Sequence, residues 1–232
     1  MTYNNIVKAI FIKRPNRFIS HCLVDGKEVI AHVKNTGRCG ELLIEGVTVY
    51  LEHAPSSTRK TDYSLIAVEK GNRLINMDSQ APNKVAYEGI KSGDIRLPNV
   101  KGDWVYIKQE FKYGNSRFDL YIETNLEEKI LIEVKGVTLE VDDVVMFPDA
   151  PTARGDKHVN ELIEARKEGY LTYVLFIVQM EGVKYFTPNA ERDPKLAKSL
   201  KNAEEAGVGI LAYDCVVKPD ELTVKKPVRV EL

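Results

Sequence analysis

Across its first 80 residues the chain shows no apolar stripe at helical spacing; its apolar side chains alternate in short runs. That restricts the front of the molecule to strands, predicted at Asn5 to Ile12, Arg17 to Val24, Lys27 to Lys34, Val47 to His53, Tyr63 to Lys70 and Leu74 to Met77. Asp25-Gly26 joins the second to the third, and such a dipeptide suits a two-residue hairpin turn because both central positions need positive φ. Five or six short strands in about 70 residues fit a small Greek-key barrel of the OB type.

The pattern changes at Pro82. Proline at a first helical turn, with Val85, Ala86 and Ile90 on one face, predicts a helix that stops at Ser92-Gly93. Strands follow at Trp104 to Phe111, Arg117 to Glu123 and Lys129 to Val137, then a loop from Met146 to Arg154. Val159, Leu162, Ile163 and Arg166 fall at helical spacing within Asp156 to Lys167, and Gly169 supplies a stop. Leu171 to Gln179 is a nearly continuous apolar run, as a strand buried on both faces requires. Asp193-Pro194 caps a helix running to Gly207, and Val208 to Cys215 reads as a further strand. The chain is therefore expected to be an α+β protein of two domains: a small N-terminal β-barrel over residues 1–80, then an α/β domain with a mixed central sheet over residues 81–232.

Composition excludes several classes. With 44% hydrophobic residues and a formal net charge of -1, the chain can offset its ordering entropy, so disorder is not its main character. The longest apolar run, about that of Leu171 to Val178, falls far short of the roughly 20 residues of a membrane-spanning helix. Ile6 to Ile12 is broken by Lys8 and followed by charge, unlike a secretory signal, so a cytoplasmic location and no membrane partner are expected. Cys22, Cys39 and Cys215 are odd in number and far apart, which fits reduced structural thiols rather than a zinc site or a disulfide scaffold.

Near-neutrality conceals an asymmetry. Residues 1–40 carry +5 and residues 1–80 carry +3, leaving -4 for residues 81–232. A basic barrel ahead of an acidic domain suggests a polyanion-holding module joined to a carboxylate-bearing one, although an imbalance of this size also falls within ordinary scatter. On the barrel, Lys13, Arg14, Arg17, Lys34 and Arg38 could track DNA phosphates while Phe18 stacks on bases, giving salt-dependent binding of low sequence specificity.

The chemistry concentrates in two strands. With side chains alternating, Phe118, Leu120 and Ile122 share one face of the first, with Asp119, Tyr121 and Glu123 opposite. In the second, Ile130, Ile132 and Val134 are apolar, with Leu131, Glu133 and Lys135 opposite. If the strands pair, Asp119, Glu133 and Lys135 converge. Mg²⁺ or Mn²⁺ could take Asp119 and Glu133 as ligands, and Lys135 could orient the attacking water or offset developing charge during phosphodiester hydrolysis. The bland alternative is a surface ion pair between Glu133 and Lys135. Glu88, on the Pro82 helix, is a candidate third acid or a solvated helix position.

The run Tyr113-Gly-Asn-Ser-Arg117-Phe-Asp119, then Glu133-Val-Lys135-Gly-Val-Thr138-Leu, then Phe147-Pro-Asp-Ala-Pro-Thr152-Ala-Arg154-Gly155-Asp-Lys157-His158, resembles the sugar fermentation stimulation protein (SfsA) family. The resemblance extends to Asn35-Thr36-Gly37-Arg38 and to Gly207-Val-Gly-Ile-Leu-Ala-Tyr213, nearly the whole chain. It implies an N-terminal OB-fold, a C-terminal domain similar to PD-(D/E)xK nucleases, and DNA as partner. Asp119 then matches the motif's aspartate, Glu133 and Lys135 its ExK pair, and Glu88 the acid of the preceding helix. Phe118 stands where that motif has proline, whereas Pro148-Asp149 follows ExK and is not the motif's PD.

Arg154, Lys157 and His158 open a helix whose N-terminal dipole favours phosphate, so they are candidate DNA contacts or, alternatively, capping and packing residues. His158 and Glu161 share a helix face. A catalytically silent DNA-binding regulator of sugar (maltose) metabolism genes is the alternative function. A nucleotide- or sugar-binding module ranks below both, since no phosphate-cradling glycine motif occurs. A homodimer is left open.

Overall fold

The computed structural model describes residues 1–35, 37–55 and 61–232; Thr36 of the Asn35-to-Arg38 motif lies outside the described residues. The front of the chain forms β1 (Ile6–Asn16), β2 (Ile19–Val24), β3 (Lys27–Val33), β4 (Thr48–His53), β5 (Tyr63–Lys70) and β6 (Arg73–Asn76). β1 pairs with β2 and β4, β2 with β3, and β4 with β5, all antiparallel. A parallel pairing of β3 with β5, Ala31 opposite Tyr63 through Val33 opposite Leu65, closes the ring into a five-stranded barrel. β6 lies outside the ring against β5. The hairpin forms as expected, with Asp25 at φ 49° and Gly26 at φ 75°. β1 runs four residues past the predicted Ile12, and its register shifts around Lys13, where a bulge lets a long strand bend around a small barrel.

Next come α1 (Ala81–Ser92), β7 (Trp104–Tyr113), β8 (Ser116–Thr124), β9 (Lys129–Val137), β10 (Leu139–Val141) and β11 (Val144–Phe147). They are followed by α2 (Ala153–Lys167), β12 (Leu171–Val178), β13 (Tyr185–Pro188), α3 (Pro194–Glu205), β14 (Gly209–Lys218) and β15 (Glu221–Val228). Six strands form one mixed sheet in the order β15-β14-β12-β9-β8-β7. Its centre, β9-β12-β14, is parallel, and both flanks are antiparallel. β12 is buried along nearly its whole length, as its apolar run predicts.

Burial on both faces follows from a helix on each. Val85, Ala86 and Ile90 of α1 pack with Ile130, Ile132, Leu175 and Cys215. Val159 and Leu162 of α2 pack with Phe118, Leu131, Val174 and Phe176. This second cluster is continuous with the barrel interior through Phe11, Leu51, Leu65 and Met77, so apolar packing joins barrel to sheet. Polar contacts cross the same seam: the Gln179 side chain donates to Asn76 Oδ1 and to the Asp78 carbonyl, and Lys70 and Arg73 meet the buried Glu140. All three cysteines are free and buried, and burial pushes the thiols of Cys22 and Cys39 up to about 11 and about 12.

The predicted loop from Met146 begins inside β11, which joins β10 and β13 in a separate three-stranded sheet. α2 starts at Ala153, ahead of the predicted Asp156, because Thr152 caps it by accepting the Gly155 N–H at 3.0 Å.

Candidate metal and nucleic-acid site

β8 and β9 pair from Glu123 opposite Lys129 to Leu120 opposite Ile132, and there the pairing stops. Asp119 occupies the gap. Its Oδ2 accepts the main-chain N–H of Val134 at 2.7 Å, the group a continued ladder would have used, and its Oδ1 accepts from Asn83 Nδ2 of α1 at 2.7 Å. The strict alternation expected for β8 breaks at this residue. Leu120 and Ile122 pack with the α1 side, whereas Phe118 packs with Tyr121 on the α2 side. Asp119 thus lies at a parity change, where its carboxylate can reach between the parted strands.

Glu133 points to the α2 side of β9 and is 2% exposed. Its Oε1 accepts from the Lys135 ammonium and from His158 Nδ1, the latter at 2.5 Å. A carboxylate can only accept, so Nδ1 carries the proton in this pair. Oε2 is buried without a hydrogen-bond partner. The two acids are poised oppositely. Burial, and then the charge of Glu133, push Asp119 up to about 6. Burial also acts to raise Glu133, but the hydrogen bond from His158 and the nearby Lys135 outweigh it and hold that carboxyl below its usual range.

Both features suit a hard divalent cation: an unpartnered buried carboxylate oxygen, and a neighbouring carboxylate whose hydrogen bonds and nearby Lys135 do not outweigh its burial and the Glu133 charge. Among the described residues no three His, Cys, Asp or Glu side chains are grouped to hold a metal. Two carboxylates are within the usual complement of Mg²⁺, which completes its octahedron with water and phosphate oxygens.

Several expected participants are elsewhere. Glu88 pairs with the Met1 ammonium at 2.8 Å. It stands five residues beyond Asn83, about 140° round the helix, so α1 offers the site an amide rather than an acid. Arg14 donates from Nη1 and Nη2 to the carbonyls of Arg17, Asn35, Gly37 and Arg38 at 2.6–2.8 Å, and is spent on holding that loop. Lys34 faces Asp78 at 3.2 Å and Glu52 at 3.7 Å, which compensates its charge. Lys13, Arg17 and Arg38 are exposed, as is Phe18. Arg154 and Lys157 are exposed on the first turns of α2, while His158 is turned inward onto Glu133 instead of outward. Lys157, not His158, meets Glu161, at 3.6 Å. The sequence reading missed Asn83, although its spacing from Ala86 and Ile90, three and seven residues on, places it on the buried stripe of α1.

A closed barrel packed against a mixed sheet with helices on both faces defines an OB barrel fused to an α/β domain. Residues 12–77 match the family model described as SfsA N-terminal OB domain, and residues 80–221 match Sugar fermentation stimulation protein RE domain. The chain belongs to the sugar fermentation stimulation protein (SfsA) family. It is 53% identical over 232 residues to the Sugar fermentation stimulation protein homolog of Clostridium beijerinckii, covering 100% of both chains. It is also 53% identical to a homolog from Desulfitobacterium hafniense, covering 100% of this chain and 99% of that one. Among solved structures it is similar to Pyrococcus furiosus SfsA in complex with Ca²⁺, with a TM-score of 0.87 and 31% identity, covering 100% of this chain and 98% of that one. No helix among the described residues is long and apolar enough to cross a membrane.

Proposed function

We propose that the protein binds DNA with low sequence specificity and hydrolyses its phosphodiester bonds at Asp119, Glu133 and Lys135, with Mg²⁺ or Mn²⁺ held by the two acids. The observation that carries this reading is the pairing of a buried, unpartnered Glu133 Oε2 with an Asp119 carboxyl pushed up to about 6. The Ca²⁺ complex of the Pyrococcus furiosus relative supports a hard cation with oxygen ligands. When bound, the cation polarises a phosphoryl oxygen and acidifies a coordinated water.

This chain's residues supply the rest. Val134 N–H and Asn83 fix Asp119 from two directions, and His158 fixes the Glu133 side chain through Oε1, leaving Oε2 for the cation. Lys135, held against the same oxygen, places an ammonium where negative charge develops on the phosphorane. Exposed Lys13, Arg17 and Arg38, with Phe18 among them, supply the phosphate-tracking and stacking surface of the barrel. Arg14 and Lys34 contribute by shaping it.

The test is incubation of purified protein with linear, supercoiled and single-stranded DNA in Mg²⁺, in Mn²⁺ and in chelator. Metal-dependent cleavage that disappears in Asp119→Ala and Glu133→Ala, with DNA binding in chelator retained, is the expected result. Cleavage undiminished in Asp119→Ala would identify a contaminating nuclease. Tight binding with no cleavage in any condition would leave the regulatory role.

A further inference from the structure

A second group of cations lies beside the acids and has no part in holding the metal. The hairpin between β7 and β8 and the start of α2 border an open cleft of about 810 Å³ that includes Lys112, Arg117, Arg154 and Lys157 in its walls. One acid, Glu110, shares it and faces Arg117 at 3.3 Å. The pairs that involve these cations, with Glu110 and with Glu161, join exposed or half-exposed side chains at 3.3–3.6 Å and leave the excess positive.

Ser116 also lines the cleft. It is 8% exposed, yet its hydroxyl is buried without a hydrogen-bond partner. A buried hydroxyl left unpaired destabilises a fold, so one retained in the lining of a cleft with four cations points to an acceptor from outside the chain. The α2 N-terminus adds a favourable dipole, but Thr152 already takes the Gly155 N–H, so Ser116 and the cations carry the recognition. His158 forms a wall of this cleft and touches Glu133, which sets the cleft one side chain away from the acids.

We infer that this cleft is a phosphate subsite, in which Ser116 donates to a phosphate oxygen and Arg154, Lys112 and Arg117 neutralise it. The phosphate belongs to the DNA strand, next along from the one at Asp119 and Glu133. Only that choice of source rests on the proposed function; the affinity for the oxyanion does not.

The test uses the full chain in chelator, with a labelled DNA duplex, a labelled single strand and inorganic phosphate as probes. Ser116→Ala and Arg154→Glu are compared with wild type, their folding is checked by circular dichroism, and Mn²⁺ binding is measured separately by calorimetry. Each variant should weaken DNA binding by roughly fivefold to tenfold, inorganic phosphate should compete, and Arg154→Glu should lower the salt slope. Mn²⁺ binding should be unchanged. Phosphate binding that depends on Ser116 while DNA affinity is unaltered would uphold the subsite with a free anion as its ligand. The same dependence with no DNA binding in wild type would uphold it while removing the proposed function. Unchanged affinity for every probe in both folded variants would overturn it.

Discussion

Asp119 provides a test of the site that needs no substrate. Its carboxyl rises from 3.8 to about 6 on folding, through burial first and the Glu133 charge second. A raised pKa means that the native state binds the proton more tightly than the unfolded chain. The group's favourable contribution is therefore complete below about pH 4 and is lost as pH rises through about 6. A shift of about two units corresponds to about 3 kcal/mol. In chelator, wild type should thus gain about 3 kcal/mol over Asp119→Ala between neutral pH and about pH 4. The variant also leaves Asn83 and the Val134 N–H without their acceptor, but that offset is independent of pH. Urea unfolding at several pH values measures the difference directly, and Glu133→Gln, which removes the second cause, should shrink its span. Excess Mn²⁺ at neutral pH should stabilise wild type by about 1.4 kcal/mol per tenfold excess over its dissociation constant, and leave Asp119→Ala unmoved. A difference that is flat with pH, or that narrows in acid, would refute the reasoning.

Other expectations are separable. Glu88→Gln should leave cleavage and Mn²⁺ binding as in wild type, measured by plasmid relaxation and calorimetry, because its partner is the Met1 ammonium. Arg14→Ala, which strips four carbonyls of a charged donor, should cost about 3 kcal/mol in urea unfolding while the salt slope of DNA binding stays nearly the same. Arg17→Glu combined with Arg38→Glu should do the reverse, weakening binding to any sequence and flattening its salt dependence with little change in unfolding. Glu140→Ala should cost about 3 kcal/mol by leaving Lys70 and Arg73, cross-strand neighbours on β5 and β6, without the β10 carboxylate that pairs with both, a loss visible in the denaturation midpoint.

Legible in the sequence itself was whatever depends on near neighbours. Alternation identified the barrel strands, Asp25-Gly26 marked their hairpin, and the unbroken run from Leu171 declared a strand covered on both sides, since each rests on backbone periodicity within a few residues. Asp119, Glu133 and Lys135 stood out because acids and a lysine inside apolar strands have few uses. β15 was missed because its alternation is brief: Leu222 and Val224 alternate with Glu221, Thr223 and Lys225, but Lys226-Pro227 then breaks the run, and a proline argues against a strand except at a sheet edge, where this one lies. β10 and β11, at three and four residues, are too short for a pattern to develop.

Partnership was decided only by the tertiary structure. Nothing local tells that Arg14 meets carbonyls up to 24 residues away, that Lys34 meets Asp78 across 44, or that His158 turns to Glu133 across 25. Each of these residues has the charge or ring of a DNA contact, and long-range packing assigns it to another partner. The same holds for α1, where rotation about the helix axis, set by the apolar stripe docking on the sheet, brings Asn83 and not Glu88 to Asp119. Residue chemistry selected the acids and the lysine; the geometry of packed elements determined what surrounds them, because a side chain's electrostatic setting is made by atoms remote in sequence.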